Sequence, residues 1–190
     1  MKALIIDTET SGLPTSYKAD FTDINAWPRI VEIAWLKLNE RLEPELSSEF
    51  IIKPSGFKIS PTAESVHGIT NEKANEFGIS IDHALACLNQ DISDTDLIVA
   101  HNIDFDFPVI NCEFLRNNTQ TVFSARPRFC TMKNTTQLCN ITGDYGPKWP
   151  KLGELYEFLF NQSFTEAHRA MHDVEATAKC YVELVKRGLA

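Results

Sequence analysis

Two short apolar runs, each ending on a cluster of acids, constrain the fold of this 190-residue chain most strongly. The runs Lys2–Ile6 and Asp96–Ala100 contain the continuous apolar residues that are typical of strands buried on both faces. The first run leads into DTETSGL from Asp7 onward, and the second leads into HNIDFD from His101 onward. Ligands of open α/β sheets bind where the strands end. If these two strands pair, both polar clusters belong to one site.

The remaining periodic segments predict further strands and helices. We predict strands at Ile30–Leu38 and Phe50–Lys53, and helices at Pro61–Val66, Ile81–Gln90, Phe105–Asn117, Lys133–Cys139, Leu152–Phe160 and Asp173–Arg187. Three strands, then helices, one strand and more helices predict an α/β fold in which helices pack on a mixed sheet. The sequence shows no internal repeat or linker, and its length suits a single domain over residues 1–190.

The composition excludes several classes of protein. Hydrophobic residues make up 43% of the chain and charged residues 23%, as in globular proteins. No apolar run approaches the roughly 20 residues that a membrane-spanning helix requires. Only four apolar residues directly precede Asp7, too few for a signal peptide, so we expect a cytoplasmic protein without a membrane partner. The five cysteines are scattered without a Cys-x-x-Cys pair, which argues against a zinc ribbon or a disulfide framework.

The charge of the chain is unevenly distributed. A net charge of −8 argues against broad, nonspecific binding of nucleic acid, but not against an enzyme whose acids hold metal. The segment Arg126–Lys151 holds five basic residues and one acid, Asp144, with Tyr145 and Trp149 among them. Basic residues interleaved with aromatic ones suit a groove that guides a nucleic-acid strand. The alternatives are a solvated loop with a chance excess of charge, and a role for Trp149 in anchoring the loop to the core.

Asp7 and Glu9 lie on one face of the first predicted strand, because residues i and i+2 of a strand point the same way. Their carboxylates would repel each other unless water or a cation lies between them. A strand that runs into a polar turn at Ser11 and Gly12 is the simpler alternative. The second cluster delivers Asp104 and Asp106 at a helix start, where acids also favour the helix dipole by about 0.3–1 kcal/mol.

A third cluster, AHRAMHDVEAT, places His168 and Asp173 near the start of the last predicted helix. Taken singly, His168 could be a core or capping histidine and Asp173 a helix-start acid. Acids from three segments that each adjoin the end of an element can instead meet at one point, and hard oxygen ligands suit Mg²⁺ or Mn²⁺. Two such ions bind the attacking and leaving oxygens of a phosphodiester, and a nearby histidine can accept the proton of the attacking water.

Together the clusters resemble the motifs of the DEDDh 3′–5′ exonucleases, the DnaQ-like group of the ribonuclease H-like superfamily. DTETSGL is similar to the first motif, HNIDFD to the second and HRAMHD to the third, in which a histidine stands five residues before the final Asp. The segment VHGIT at residues 66–70 also resembles a family feature between the first two motifs. The resemblance covers nearly the whole chain in the expected order, and it implies a ribonuclease H-like fold.

The resemblance also implies a role for individual residues. It implies two divalent ions, Mg²⁺ or Mn²⁺, with the ligands Asp7, Glu9, Asp106 and Asp173. Asp7 would bridge the two ions, and His168 would be the general base. We also expect contacts to the substrate from Thr10, Leu13, His67, Asn102 and Phe105. For His67, a plain position at the C-terminal end of a helix stays open as the alternative.

Two residues depart from the family pattern. Asp104 stands where relatives often carry a small residue, and it would add a carboxylate near the metals. His172, directly before Asp173, offers a second histidine at a position that does not match that of the family base. Neither departure removes a predicted ligand.

The activity implied by the resemblance is removal of nucleotides from a nucleic-acid 3′ end as nucleoside 5′-monophosphates. Single-stranded DNA is favoured because VHGIT resembles the proofreading branch. An RNA-trimming enzyme similar to ribonuclease T or oligoribonuclease is one alternative, and a noncatalytic nucleic-acid-binding subunit is another. The last predicted helix ends close to Ala190, so we expect a stand-alone enzyme. A polymerase partner is compatible with the sequence but is not indicated by it.

Overall fold

The computed structural model describes residues 1–164 and 169–190. Its strands are β1 (Ala3–Thr10), β2 (Ile30–Leu38), β3 (Pro44–Ile51), β4 (Leu97–Ala100), β5 (Arg128–Cys130), β6 (Thr142–Gly143) and β7 (Gly146–Pro147). Its helices are α1 (Pro61–His67), α2 (Asn71–Phe77), α3 (Ile81–Ile92), α4 (Ile103–Arg116), α5 (Thr131–Asn134), α6 (Thr136–Cys139), α7 (Leu152–Phe160) and α8 (Ala170–Lys186), with a 3₁₀ turn at Phe123–Ala125.

In these described ranges, five strands form one mixed sheet in the order β3-β2-β1-β4-β5. The β1–β2 and β2–β3 pairs are antiparallel, and the β1–β4 and β4–β5 pairs are parallel. The predicted α/β class with a mixed sheet is therefore confirmed. The first strand pairs with the strand before His101, since Ala3, Leu4 and Ile5 lie beside Leu97, Ile98 and Val99, so the condition for bringing the two polar clusters to one site is met.

The alternation of β1 decides which helices cover each face of the sheet. Leu4 and Ile6 pack into a cluster with residues of α3 and α4. Ala3 and Ile5 pack on the opposite face, against Val174 and other residues of α8. Because side chains alternate along a strand, Asp7 and Glu9 continue the row that faces α8. The central strand thus directs its acids toward the last helix.

Several observed elements differ from the predicted ones. The edge strand β3 begins at Pro44, because its polar sequence PELSSEFI is only partly buried and lacks an apolar run. The strand β5 is three residues long, too short for a period to be read from the sequence. The predicted helix Lys133–Cys139 is two short helices separated at Thr135. The last helix begins at Ala170 rather than Asp173, since the Asp173 amide donates to the Arg169 carbonyl.

The helices before β4 begin and end as their capping residues predict. Ser60 caps α1 by accepting a hydrogen bond from the Ala63 amide, and Thr70 caps α2 in the same way through the Lys73 amide. Gly68 ends α1 at φ 69°, a left-handed conformation that glycine adopts without strain. Across residues 1–164 and 169–190, none of the helices combines the length and the apolar character that crossing a bilayer requires.

We expect Gly78→Ala to destabilise the protein by about 1–3 kcal/mol, the usual cost of overpacking. A Cβ atom at residue 78 would lie 2.5 Å from the Lys53 backbone nitrogen and would also overlap the Ala74 carbonyl oxygen. Gly153→Ala in α7 is the matched control, because the nearest atom to its Cβ is 3.9 Å away. That change should stabilise by about 0.5–1 kcal/mol. Urea unfolding of both variants measures the difference, and equal stabilities would contradict the expectation.

Candidate active site

The candidate site forms where β1, α4 and α8 meet. The strand β1 supplies Asp7 and Glu9 near its end, α4 supplies Asp106 in its first turn, and α8 supplies Asp173 in its first turn. One carboxylate oxygen each of Asp7, Glu9 and Asp173 lies within 4.8 Å of the other two. The acids that the sequence separates by more than 160 residues are therefore within reach of a shared cation.

Asp106 is held by the strand that carries the other acids. The carboxylate is buried, and its Oδ1 accepts hydrogen bonds from the Thr8 amide at 3.0 Å and the Thr8 hydroxyl at 2.8 Å. Thr8 lies on the opposite face of β1 from Asp7 and Glu9, so it reaches α4 while they face α8. Asn102 directly precedes α4 with φ 78°, a left-handed conformation in which Asn is several-fold enriched among residues other than glycine.

Burial and mutual repulsion dominate the electrostatics of the site. Burial, followed by the charges of Asp106 and Asp173, raises the pKa of Asp7 well above its ordinary value. Burial and the charge of Asp173 raise the pKa of Glu9 to about 8. Burial raises the pKa of Asp106 to about 7, although the hydrogen bonds from Thr8 act in the opposite direction.

These acids fit a site for divalent cations. Among the residues that the structure describes, no lysine or arginine forms an ion pair with Asp7 or Glu9. Arg169 lowers the pKa of Glu9 but directs its guanidinium at Glu32 and Glu49. Buried carboxylates are otherwise paired or coordinated to metal. Hard oxygen donors at this spacing match the ligands that Mg²⁺ and Mn²⁺ prefer.

A cavity of about 520 Å³ adjoins the acids and collects most of the predicted substrate contacts. Its lining includes Glu9 and four of the predicted contact residues: Thr10, Leu13, His67 and Phe105. Leu13 is 75% exposed, so its side chain is free to contact a bound molecule. The fifth predicted contact, Asn102, lines a second cavity of about 650 Å³ together with Asp7, Asp173 and Lys151. Each of the two cavities is thus lined by at least one carboxylate of the cluster, Glu9 in the first and Asp7 and Asp173 in the second.

The structure bears on both alternatives for His67. The residue is the last of α1, as the plain alternative expects, and it also lines the cavity beside Glu9. Its Nδ1 accepts a hydrogen bond from the Ile69 amide at 3.1 Å. Burial lowers the pKa of His67, while the Thr10 backbone opposes that shift. His67 is therefore a neutral, fixed imidazole at physiological pH.

The remaining predicted residues have different outcomes. His168, the predicted general base, lies outside the described residues 1–164 and 169–190. Asp104 is exposed and forms an ion pair with Lys133, and it is not one of the clustered carboxylates Asp7, Glu9 and Asp173. His172 lines a separate small cavity of about 190 Å³ with Tyr156 and Lys179.

The basic segment Arg126–Lys151 is partly neutralised by its own neighbours. Lys133 pairs with Asp104, and Lys148 pairs with Glu154 at 2.6 Å. Trp149 is 59% exposed, so the alternative in which it anchors the loop to the core was wrong. Lys151 lines the same cavity as Asp7 and Asp173. The role of this segment in guiding a strand stays a prediction.

Sequence reasoning gave no role to His101, which joins β4 to the loop before α7. Its Nε2 donates to the Pro150 carbonyl at 3.0 Å, and its Nδ1 lies 2.9 Å from the Thr131 hydroxyl. Burial lowers the pKa of His101 to about 4, so the ring is neutral. Thr131 lies 30 residues and Pro150 lies 49 residues further along the chain. No local sequence pattern predicts either contact.

Comparison with known proteins places this arrangement in a family. The RNase_T family model, described as exonuclease, matches residues 4–181. The chain belongs to this exonuclease family. The predicted membership in an exonuclease family is confirmed.

Solved structures and a curated protein share the fold and part of the sequence. Escherichia coli exonuclease I bound to a dT13 oligonucleotide matches with a TM-score of 0.77 and 22% identity, over 97% of this chain and 41% of that one. A zinc-bound E. coli ExoI–ssDNA complex gives a TM-score of 0.75 and 20% identity, over 98% and 40% of the two chains. A PolC-type DNA polymerase III of Pediococcus pentosaceus is 25% identical over 184 residues, 96% of this chain and 11% of the polymerase. The likeness confirms the predicted ribonuclease H-like fold, although the chain spans less than half of each protein.

In metal-free protein, we expect the free energy of unfolding to fall as pH rises from about 4, where these carboxyls titrate in the unfolded chain, to about 8, and to level off above that. The pKa values of Glu9 and Asp106 are higher in the folded than in the unfolded state, so their stabilising protons are lost as pH passes through about 7 and 8. Urea unfolding in a chelating buffer measures the slope. Glu9→Gln removes one titrating group and should flatten it. A slope that is flat in the original protein, or unchanged by Glu9→Gln, would contradict the raised pKa values.

Proposed function

We propose that residues 1–190 form a single metal-dependent domain that removes nucleotides from the 3′ end of single-stranded DNA and releases nucleoside 5′-monophosphates. The observation that carries the proposal is the set Asp7, Glu9 and Asp173, whose carboxylate oxygens lie within 4.8 Å of one another beside a cavity. Membership in the exonuclease family supports the reaction class. The cytoplasm is the proposed compartment, on the evidence of the sequence alone.

Four carboxylates of this chain would hold two divalent ions, Mg²⁺ or Mn²⁺: Asp7, Glu9, Asp106 and Asp173. When bound, such ions supply positive charge to the attacking and the leaving oxygens of the phosphodiester. Asp7 is the proposed bridge, as the resemblance to the exonuclease family implies, and the charges of Asp106 and Asp173 both raise its pKa. Thr8 keeps Asp106 in a fixed orientation through two hydrogen bonds.

The cavity beside Glu9 is the proposed seat of the 3′-terminal nucleotide. Its lining combines apolar side chains such as Leu13, Val66 and Phe105 with the polar groups of Thr10 and His67. Apolar and aromatic surface can pack against the face of any base, so the cavity suits removal of nucleotides without a strict sequence preference. His67 is fixed by the Ile69 amide, so its orientation does not depend on the substrate.

The second cavity is the proposed path of the preceding nucleotide. It is lined by Asp7 and Asp173 together with Asn102 and Lys151. A lysine there can contact a phosphate of the strand. Single-stranded DNA is the proposed substrate because VHGIT resembles the proofreading branch, and because the related exonuclease I binds a dT13 oligonucleotide. A polymerase partner forms no part of the proposal.

End-labelled oligonucleotides test the proposal directly. With Mg²⁺ or Mn²⁺, 5′-labelled single-stranded DNA should shorten into a ladder, and 3′-labelled DNA should release its label as a mononucleotide at once. Asp7→Ala should abolish cleavage, because removal of the bridging ligand displaces metal, while the variant remains folded. Thermal stability without metal should rise in this variant, since one repelling charge is lost.

Two results would count against the proposal. Activity of Asp7→Ala within a few-fold of the original protein would remove the metal assignment. Faster shortening of an RNA oligonucleotide than of DNA of the same sequence would favour the RNA-trimming alternative instead. Thr15→Ala is a suitable folded control, because the Thr15 hydroxyl makes one long hydrogen bond to the described residues, to the Ala26 carbonyl at 3.4 Å.

His168 is the proposed general base, and its substitution should act on the rate rather than on binding. A positioned general base contributes roughly 10²–10⁴-fold, so His168→Ala should lower kcat by about that factor and leave KM nearly unchanged. His172→Ala is the matched control and should change kcat far less. Steady-state kinetics on a short DNA oligonucleotide separate the two histidines. If the two effects were reversed, the base would have to be reassigned to His172.

A further inference from the structure

A buried glutamate on β2 lies beside Glu9 of the carboxylate cluster and takes no part in the proposed chemistry. Glu32 is completely buried within a strand whose nine residues are all buried. It stands opposite Glu9 in the register of β1 and β2. A buried carboxylate is costly unless it is paired and hydrogen-bonded, so its partners indicate why the fold keeps it.

The partners of Glu32 come from the residues that begin α8. Arg169 donates to the carboxylate from Nε at 3.2 Å to each oxygen and from Nη2 at 2.7 Å. The amide of Ala170, the first residue of α8, donates to Oε2 at 3.0 Å. A further bond joins Arg169 Nη2 to Glu49 on β3 at 3.3 Å. Two strands of the sheet thus hold the start of one helix through a single guanidinium and one amide.

The same helix start carries a proposed metal ligand. Asp173 follows Ala170 by three residues, and its amide donates to the Arg169 carbonyl at 3.1 Å. The backbone of Arg169 is therefore fixed on one side by Glu32 and bonded on the other to the residue that supplies the ligand. Since an α-helix rises 1.5 Å per residue, Asp173 cannot move far while Arg169 and Ala170 are held.

Two of the other proposed ligands belong to the strand next to Glu32. Asp7 and Glu9 lie on β1, which pairs with β2 through Ala34 and Glu32. The hydrogen bonds from Arg169 and Ala170 to Glu32 thus join the start of α8, which carries Asp173, directly to the sheet that carries Asp7 and Glu9. A helix packed only through apolar side chains such as Val174 would be free to slide by fractions of an ångström.

The charges of the pair also suit a neighbouring cation site. Glu32 adds negative charge next to Glu9, and Arg169 offsets it through the direct ion pair. The guanidinium is planar and forked, so it binds a carboxylate in a fixed orientation that a lysine does not reproduce. The pair can therefore set position without adding net charge.

We propose that Glu32 and Arg169 are positioning residues that set the distance between Asp173 on α8 and the acids of β1, and thereby the affinity for divalent cations. The proposal rests on the proposed function, because it takes these acids as metal ligands. Neither residue is proposed to touch the metal or the substrate. Partners that orient metal ligands in this way change metal affinity or activity by about 10–100-fold when they are replaced.

The test combines a binding measurement with kinetics. Titration calorimetry with Mn²⁺ alone should give Glu32→Gln an affinity about 10–100-fold below that of the original protein. The Mn²⁺ concentration for half-maximal cleavage should rise by the same factor, while kcat at saturating Mn²⁺ falls only a few-fold. Arg169→Lys keeps the charge but loses the fork, so it should weaken Mn²⁺ binding in the same direction.

Glu113→Gln is the matched control for a merely structural effect. Glu113 is also buried and binds arginines, Arg29 at 2.7 Å and Arg116 at 3.0 Å. It lies on α4 and is not one of the clustered carboxylates Asp7, Glu9 and Asp173. Its replacement should lower thermal stability at least as much as Glu32→Gln does, yet leave Mn²⁺ affinity within about twofold. If Glu32 is a positioning residue, Glu32→Gln lowers both Mn²⁺ affinity and thermal stability, whereas Glu113→Gln lowers thermal stability alone.

Each outcome decides the matter. Mn²⁺ affinity of Glu32→Gln within about twofold of the original protein overturns the inference and leaves the proposed function intact. Equal losses of affinity in Glu32→Gln and Glu113→Gln also overturn it, since the effect would then follow stability. If Glu32→Gln does not fold, Arg169→Lys decides alone, because Arg169 is partly exposed. An original protein that cleaves without any metal ends both proposals at once.

Discussion

Repulsion among buried carboxylates is the constraint on which the rest of this structure depends. The charges of Asp106 and Asp173 raise the pKa values of both Asp7 and Glu9, and the charge of Glu9 also raises that of Asp7. Such a group would spread apart if its members lay on flexible segments. Here each acid lies on a strand or in the first turn of a helix. The packing of those elements keeps the acids together. The negative electrostatic potential of the clustered carboxylates then attracts cations.

The central strand achieves this through its two-residue period. One row of β1 packs on α3 and α4, and the other packs on α8 and ends in Asp7 and Glu9. This much could be predicted from the sequence, because alternation and an apolar run are local properties. The shared face of Asp7 and Glu9, the pairing of β1 with β4 and the meeting of three distant acids follow from that period and from the rule that sites form at strand ends.

What could not be predicted depends on contacts between distant residues or on very short elements. Glu32 lies in the run IVEIAWLKL, which was correctly predicted as a strand, but the partners that allow its burial, Arg169 and the Ala170 amide, lie 137 and 138 residues further on. Asp104 was expected as a fifth acid near the site, and its ion pair with Lys133, which lies 29 residues further along the chain, has no local signal in the sequence. The strand β5 and the break at Thr135 are too short to show a period. His168 lies outside the described residues, so its role stays a prediction.

The bond from the Ala170 amide to Glu32 has an evolutionary consequence. A main-chain donor is present whatever side chain residue 170 carries, with proline as the exception. The Thr8 amide that binds Asp106 has the same property. A side-chain substitution at residue 8 or 170 therefore keeps the main-chain hydrogen bond to Asp106 or Glu32. The sequence can change at these positions while these bonds stay in place. This tolerance gives one physical reason why proteins of about one-fifth identity, such as this chain and exonuclease I, still share a fold.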